Sequence, residues 1–202
     1  GYGLSDKPED APLKPEDHAR RLASFVTHLD LQDITLVVHD FGGPIGIGAS
    51  LEAPQRYSSL VVLNSRMWGL QDKPSAVKLS KFIASPTGRF MYRWLNASPK
   101  RLVPMSFGET KLAKDDHRHY LAPFARRQDR MAPWITGCEL VGSSDYYDTL
   151  WARRDELPTP SFIWGLSDPA FGDEELQRWK SAWPDAAVTE LAGVGHFPQE
   201  EA

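Results

Sequence analysis

Asp40 stands where an apolar run, Ile34-Thr35-Leu36-Val37-Val38, passes through His39 and gives way to Phe41-Gly42-Gly43-Pro44 and a helical pattern. Strand, one reactive side chain, glycines, helix is the layout of a nucleophile elbow, here with a carboxylate at the tip instead of a hydroxyl. A carboxylate is ionised at neutral pH without a base to activate it. The chemistry it predicts is attack on carbon, leaving an ester on the protein. So sharp a turn leaves little room for neighbouring Cβ atoms, which predicts the glycines at Gly42 and Gly43. Pro44 suits a first helical turn because the N–H it lacks would have no intrahelical partner there. Amides and dipole at the helix start, aimed at Asp40, lower its pKa and provide half an oxyanion hole. The plainer alternative is that Asp40 only caps a helix over 44–53.

Two further residues favour the chemical reading. Asp168 follows a short apolar strand pattern, Ser161-Phe162-Ile163-Trp164, in the loop Gly165-Leu166-Ser167-Asp168-Pro169. The carboxyl ends of parallel strands are where open α/β sheets place ligand and catalytic groups. Taken alone, Asp168 also fits a turn residue before proline. His196 is presented by the glycine-rich loop Gly193-Val194-Gly195-His196-Phe197-Pro198 after the strand pattern Val188-Thr189-Glu190-Leu191. A lone loop histidine is most often a surface residue. Nucleophile, acid, histidine is, however, the chain order of the α/β-hydrolase triad, and three loop-end residues in that order are unlike coincidence.

With these motifs in hand, the chain resembles the α/β-hydrolases of the haloalkane dehalogenase and epoxide hydrolase group. The resemblance rests on His39-Asp40-Phe41-Gly42-Gly43-Pro44-Ile45-Gly46, Gly1-Tyr2-Gly3-Leu4-Ser5-Asp6-Lys7-Pro8, Gly165-Leu166-Ser167-Asp168 and Gly195-His196-Phe197. It implies a mostly parallel sheet with helices on both faces and an inserted helical cap. It also implies a mechanism in which Asp40 displaces a halide or opens an epoxide. His196, oriented by Asp168, then takes a proton from water that hydrolyses the ester. Neither a metal nor an organic cofactor is required, and the expected partners are a small apolar substrate and water. By the same resemblance the first strands would precede residue 1, a last helix should begin at Glu200-Glu201-Ala202, and the parent protein would have about 300 residues.

Departures from the pattern carry information too. Dehalogenases of this group usually place tryptophan after the nucleophile, where its indole N–H holds the departing halide. Here the residue is Phe41, whose ring donates nothing, leaving its backbone N–H as an oxyanion or halide donor. Trp68, Trp94, Trp134 and Trp151 are candidate second donors from a cap. Tyr92, Tyr120, Tyr146 and Tyr147 are candidates for protonating an opening epoxide, although tyrosines at such places mostly pack. Asn64, ending Leu60-Val61-Val62-Leu63, stands where one dehalogenase branch carries its acid; an amide cannot serve, which leaves that role to Asp168. Haloalkane dehalogenation is the favoured reading. Epoxide hydrolysis, β-lactone processing and a non-catalytic binding protein of the same fold are the alternatives.

The elements that must position these groups follow from periodicity. Residues 15–29 read as an amphipathic helix with Leu22, Phe25, Val26 and Leu29 on one face and Glu16 and Asp17 in the first turn. Residues 1–67 and 157–202 read as hydrolase core. Residues 68–156, aromatic, charged and proline-punctuated, read as the cap, with helical patterns at 76–83, 88–95 and 114–120. The run Arg126-Arg127-Gln128-Asp129-Arg130 reads as a solvated face of it.

Composition fits a globular chain: of 202 residues 41% are hydrophobic and 25% charged. A net charge of −4 offers no basic surface for nucleic acid. The single cysteine, Cys138, rules out an internal disulfide and reads as structural, compatible with a reducing compartment. No apolar run approaches a membrane span and no leader is recognisable, so a cytoplasmic location is the default expectation. Nothing in the sequence speaks to the oligomeric state.

Overall fold

A computed structural model describes residues 2–6, 8 and 11–202; Gly1 and Lys7 of the N-terminal motif, with Glu9 and Asp10, lie outside the described residues. In chain order the elements are α1 (Pro15–His28), β1 (Ile34–Asp40), α2 (Gly42–Ser50), β2 (Tyr57–Ser65), α3 (Pro74–Ala84), α4 (Pro86–Arg93), the single turn α5 (Val103–Met105), α6 (Lys114–Leu121), α7 (Met131–Gly142), α8 (Ser144–Ala152), β3 (Pro160–Gly165), α9 (Asp173–Ala182), β4 (Val188–Leu191) and α10 (Pro198–Glu201). Two compact units result. One comprises Gly1–Pro15, Gly69–Met105 and Lys111–Ser144, the other Glu16–Trp68, Ser106–Thr110 and Asp145–Ala202. Residues 106–110 and 145–156, grouped with the insertion on sequence grounds, fall in the second unit, while residues 2–6, 8 and 11–15, grouped with the core, fall in the first.

The second unit is an α/β layer built on four parallel strands in the order β1-β2-β3-β4. The register sets Val38 beside Val62 and Val62 beside Phe162, so these side chains share one face. Helices cover that face. A Cβ built on Gly46 of α2 would lie 2.7 Å from Val38 Cγ1, and one on Gly48 would lie 3.1 Å from Ala19 Cβ of α1. Trp179 of α9 sets its ring 5.5 Å from that of Phe162. The opposite face of β1 is more open, with Val37 60% exposed.

Trp164, Trp179, Phe162, Ile47 and Leu176 are the buried heart of this layer, each worth about 2–3 kcal/mol of burial. Both indole N–H groups are satisfied: Trp179 donates to the Ser65 carbonyl at 2.8 Å and Trp164 to the Phe171 carbonyl at 3.0 Å. Helix α9 is absent from the periodicity reading, yet its signals are present. Asp173, Glu174 and Glu175 occupy the first turn, Glu175 accepts the Gly172 N–H at 3.0 Å, and Leu176 and Trp179 face inward.

In the first unit, α3, α4 and α6 coincide with the three predicted helical patterns, while α7 lies where none was predicted. Its strong overall hydrophobicity, in Met131-Ala132-Pro133-Trp134-Ile135, lacks a clean polar face. Trp134 donates to the Ile83 carbonyl at 2.9 Å and Ser80 to the Cys138 carbonyl at 3.3 Å, tying α7 to α3. The basic run is not simply a solvated face. Arg126 pairs bidentately with Asp129, Arg127 lies 3.7 Å from the Trp94 ring centroid, and Arg130 donates to the carbonyls of Phe124, Ala125, Arg93 and Trp94. Among the described residues no helix is long and apolar enough to cross a membrane.

Candidate active site

The turn after β1 has the strain expected of an elbow. Asp40 has φ +48, a left-handed conformation that a non-glycine residue adopts at a cost of about 1–2 kcal/mol and that persists only where its surroundings enforce it. The enforcement is visible: Ser65 donates its hydroxyl to the Asp40 carbonyl at 2.6 Å, and Trp179 in turn holds the Ser65 carbonyl. Helix α2 begins at Gly42, two residues earlier than 44, with Phe41 and not Asp40 at its N-cap and no side-chain cap hydrogen bond there. Of the two predicted glycines only Gly43 is demanded by space. A Cβ there would meet Ser65 Oγ at 2.0 Å and the Arg66 carbonyl at 2.9 Å, whereas nothing lies within 4 Å of one on Gly42. The expectation of crowding at Gly42 is thus corrected, because a Cβ there would meet open space.

Asp168 and His196 arrive from the ends of β3 and β4. The Asp168 side chain is fully buried, and its Oδ2 lies 2.8 Å from His196 Nδ1. A carboxylate only accepts, so Nδ1–H is the donor. Asp168 Oδ2 also accepts from Asn64 Nδ2 at 2.9 Å and its Oδ1 from the Ala170 N–H at 2.7 Å. Asn64 further bridges to β3, accepting from Gly165 N at 2.8 Å and donating to Gly165 O at 3.0 Å. The residue set aside as unable to be an acid therefore hydrogen-bonds the candidate acid, Asp168. The other imidazole nitrogen, His196 Nε2, is 3.6 Å from Asp40 Oδ2, and the Asp40 side chain remains 40% exposed.

The histidine loop is held by contacts no local pattern announces. His196 N–H donates to the Ser106 carbonyl at 2.8 Å, and Gly195 passes so close to residues 106–108 that a Cβ would lie 2.4 Å from both Gly108 N and Ser106 O. The Glu201 carboxylate of α10 accepts N–H groups from Gly108 at 2.7 Å and from Gly195 and Phe197. His39 donates Nε2–H to the His196 carbonyl at 2.6 Å and lies with its ring 4.6 Å from the imidazole.

Electrostatics couple the three groups. Burial alone would raise the pKa of Asp40, but the close approach of His196 and the fields of His196, His39 and Arg66 outweigh it and hold the carboxyl below its ordinary value. Burial pulls His196 down, yet its hydrogen bond to Asp168, the close Asp40 carboxylate and the negative charge of both push it up to about 10. His39 is lowered, by burial first and then by His196, despite the opposing fields of Asp40 and Asp168.

Asp40, Phe41, Pro44, Arg66, Tyr147 and Phe171 bound a cavity of ≈ 10 Å³, about the room one water needs. Tyr147 alone of the four candidate tyrosines is among them. Tyr146 donates to the Pro44 carbonyl at 3.1 Å, its pKa raised by burial. Tyr92 is buried in the first unit with its pKa pushed up to about 12, and Tyr120 lies on α6. Trp68 and Trp151 pack edge-on at 5.1 Å, and Trp68 against Trp179 as well, away from this cavity lining. Trp134 has its N–H on Ile83, and Trp94 is 59% exposed under Arg127. The Cys138 thiol is pushed up by burial, and among the described residues no cluster of His, Cys, Asp or Glu is set to hold a metal ion.

A family model described as alpha/beta hydrolase fold matches residues 1–202. The chain is similar to a cis-3-alkyl-4-alkyloxetan-2-one decarboxylase of Shewanella oneidensis, 30% identical over 213 residues that cover 100% of this chain and 67% of that protein. It is similar to haloalkane dehalogenase 2 of Mycobacterium tuberculosis, 28% identical over 209 residues, 100% of this chain and 71% of the relative. In three dimensions it matches a haloalkane dehalogenase from Bradyrhizobium elkani with a TM-score of 0.82 at 24% identity, over 98% of this chain and 72% of the other. At that identity the likeness is one of fold.

Proposed function

The chain belongs to the α/β hydrolase fold family, and on that premise we propose that it hydrolyses carbon–halogen bonds through an ester on Asp40. The observation that carries the reading is the relay itself: a strained Asp40 at the elbow, His196 Nε2 at 3.6 Å, and Asp168 at 2.8 Å behind it. An Asp40 oxygen bonds to the substrate carbon, the carbon–halogen bond breaks, and its electron pair leaves with the halide. The ester is neutral, so His196 loses one of its two carboxylate neighbours and becomes able to take a proton from water. Hydroxide adds to the ester carbonyl while Asp168 stabilises the imidazolium through Nδ1–H. The oxyanion is held by the Phe41 N–H and the start of α2. Collapse breaks the bond to the alkoxide, which takes the proton from His196 and leaves as the alcohol, and Asp40, left as a carboxylic acid, gives its proton to solvent.

Opening of a β-lactone by the same nucleophile is the second reading. It is favoured by the oxetanone-processing relative and by the absence of a ring donor at Phe41. Intact mass of a His196→Ala variant tests both. Incubated with a bromoalkane, the variant gains the alkyl mass on Asp40; incubated with a 2-oxetanone, it gains the lactone mass. No adduct with a bromoalkane, an epoxide or an oxetanone would reject the enzyme in favour of a binding protein of the same fold.

A further inference from the structure

Arg66 is the cation of this cavity lining, and neither the elbow pattern nor the triad uses it. It directly follows β2, whose last residue, Ser65, is in register with Asp40. The register therefore sets a cation one residue beyond the nucleophile's neighbour on the adjacent strand. Arg66 is only 7% exposed and lines the cavity together with Asp40, Phe41 and Phe171. Its Cζ lies 5.4 Å from the Phe171 ring centroid, and that same ring stacks on the His196 imidazole at 5.6 Å and 8°. Burial lowers its pKa while Asp40, Tyr147 and Glu175 act the other way; a guanidinium stays protonated throughout the working range. A buried cation is costly to maintain, and here it sits where negative charge must accumulate when a leaving group departs.

We infer that Arg66 receives the leaving anion in this pocket and that its planar fork favours a departing carboxylate over a halide. The inference rests on the alkyl-ester reading above. With a 2-oxetanone, an Asp40 oxygen bonds to the ring carbon that carries the ring oxygen, that carbon–oxygen bond breaks, and the electron pair remains on oxygen. The lactone becomes a carboxylate, no proton moves, and one negative charge passes from Asp40 to a group with two oxygens. A guanidinium meets such a group with two parallel N–H···O bonds, whereas a halide uses only the charge. Phe41, which cannot donate from its ring, leaves this part to Arg66.

Adduct formation on Asp40 in the His196→Ala background, followed by rapid-quench intact mass, is the test. Arg66→Met should slow the oxetanone adduct by about 100-fold, the loss typical of removing one donor to a developing anion. Arg66→Lys keeps the charge without the fork and should restore the bromoalkane reaction to within about threefold while leaving the oxetanone reaction at least about tenfold slow. Thermal melting confirms that each variant folds. Should Arg66→Met not fold, the parent protein still decides: propanoate should compete with adduct formation about tenfold more tightly than chloride. Oxetanone adduct rates that Arg66→Met leaves unchanged, or chloride competing as well as propanoate, would overturn the role of Arg66 while leaving the nucleophile intact. No adduct even with Arg66 in place would overturn the alkyl-ester reading itself, and this inference with it.

Discussion

Replacing Asp40 by asparagine should move the titration of His196, and by an amount the structure sets. The imidazole titrates at about 10 because Asp168 and Asp40 both face it, with His39 the other titratable neighbour. At the 3.6 Å that separates Nε2 from Asp40, a unit charge pair is worth about 4–5 kcal/mol at an effective dielectric of about 20. The Asp40 side chain is 40% exposed, so solvent screens the pair to roughly half of that, about 2 kcal/mol. At about 1.4 kcal/mol per pKa unit, His196 falls by about 1.5 units, from about 10 to about 8.5, in Asp40→Asn. The amide is neutral and of the same shape, so the variant reproduces the charge of the ester, the state in which His196 must act as a base. The sign for stability follows from the raised folded value. The contribution of His196 is fully present below its unfolded pKa of about 6.5 and is lost as pH rises through the folded one. Parent stability should therefore decline from about pH 7 to about pH 10, and that of Asp40→Asn should finish declining near pH 8.5. Nitrogen-edited NMR of the imidazole gives the titration and urea melts give the stability. A His196 that titrates near 10 in both proteins would refute the coupling, and with it the switch of His196 from acid to base on ester formation.

Gly43→Ala should destabilise by about 1–3 kcal/mol through overpacking against Ser65 and the Arg66 backbone, while Gly42→Ala, with open space at its Cβ, should stay within about 0.5 kcal/mol of the parent; paired urea melts compare them. Asn64→Ala leaves the buried N–H and carbonyl of Gly165 without their partners and should cost about 2–4 kcal/mol in the same assay. Glu201→Gln exchanges an oxygen that accepts Gly108 and Gly195 N–H groups for an amide and should cost about 1–3 kcal/mol. In stopped-flow kinetics its effect should fall on ester hydrolysis, which needs the His196 loop, more than on adduct formation.

The chemistry-bearing residues of the candidate site were legible because each is announced by its own neighbours. A strand pattern ending in Asp40 and glycine, another ending before Asp168, and a glycine loop ahead of His196 are all signals a few residues long. The strands lie where short apolar runs put them, and α3, α4 and α6 where periodicity does. Gly42 misled because a turn's glycines look alike in sequence, while only the direction of the missing Cβ distinguishes Gly43. Helix α7 escaped because a helix apolar on most sides has no periodic stripe, and α9 because its acidic first turn resembles a loop. What only the tertiary structure decided is which side chains support the site from afar. Arg66 beside Asp40, Asn64 under Asp168, His39 on the His196 carbonyl and Glu201 on the loop amides join residues far apart in the chain. Their partners are set by strand register and close backbone approach, and short-range sequence pattern carries no record of either.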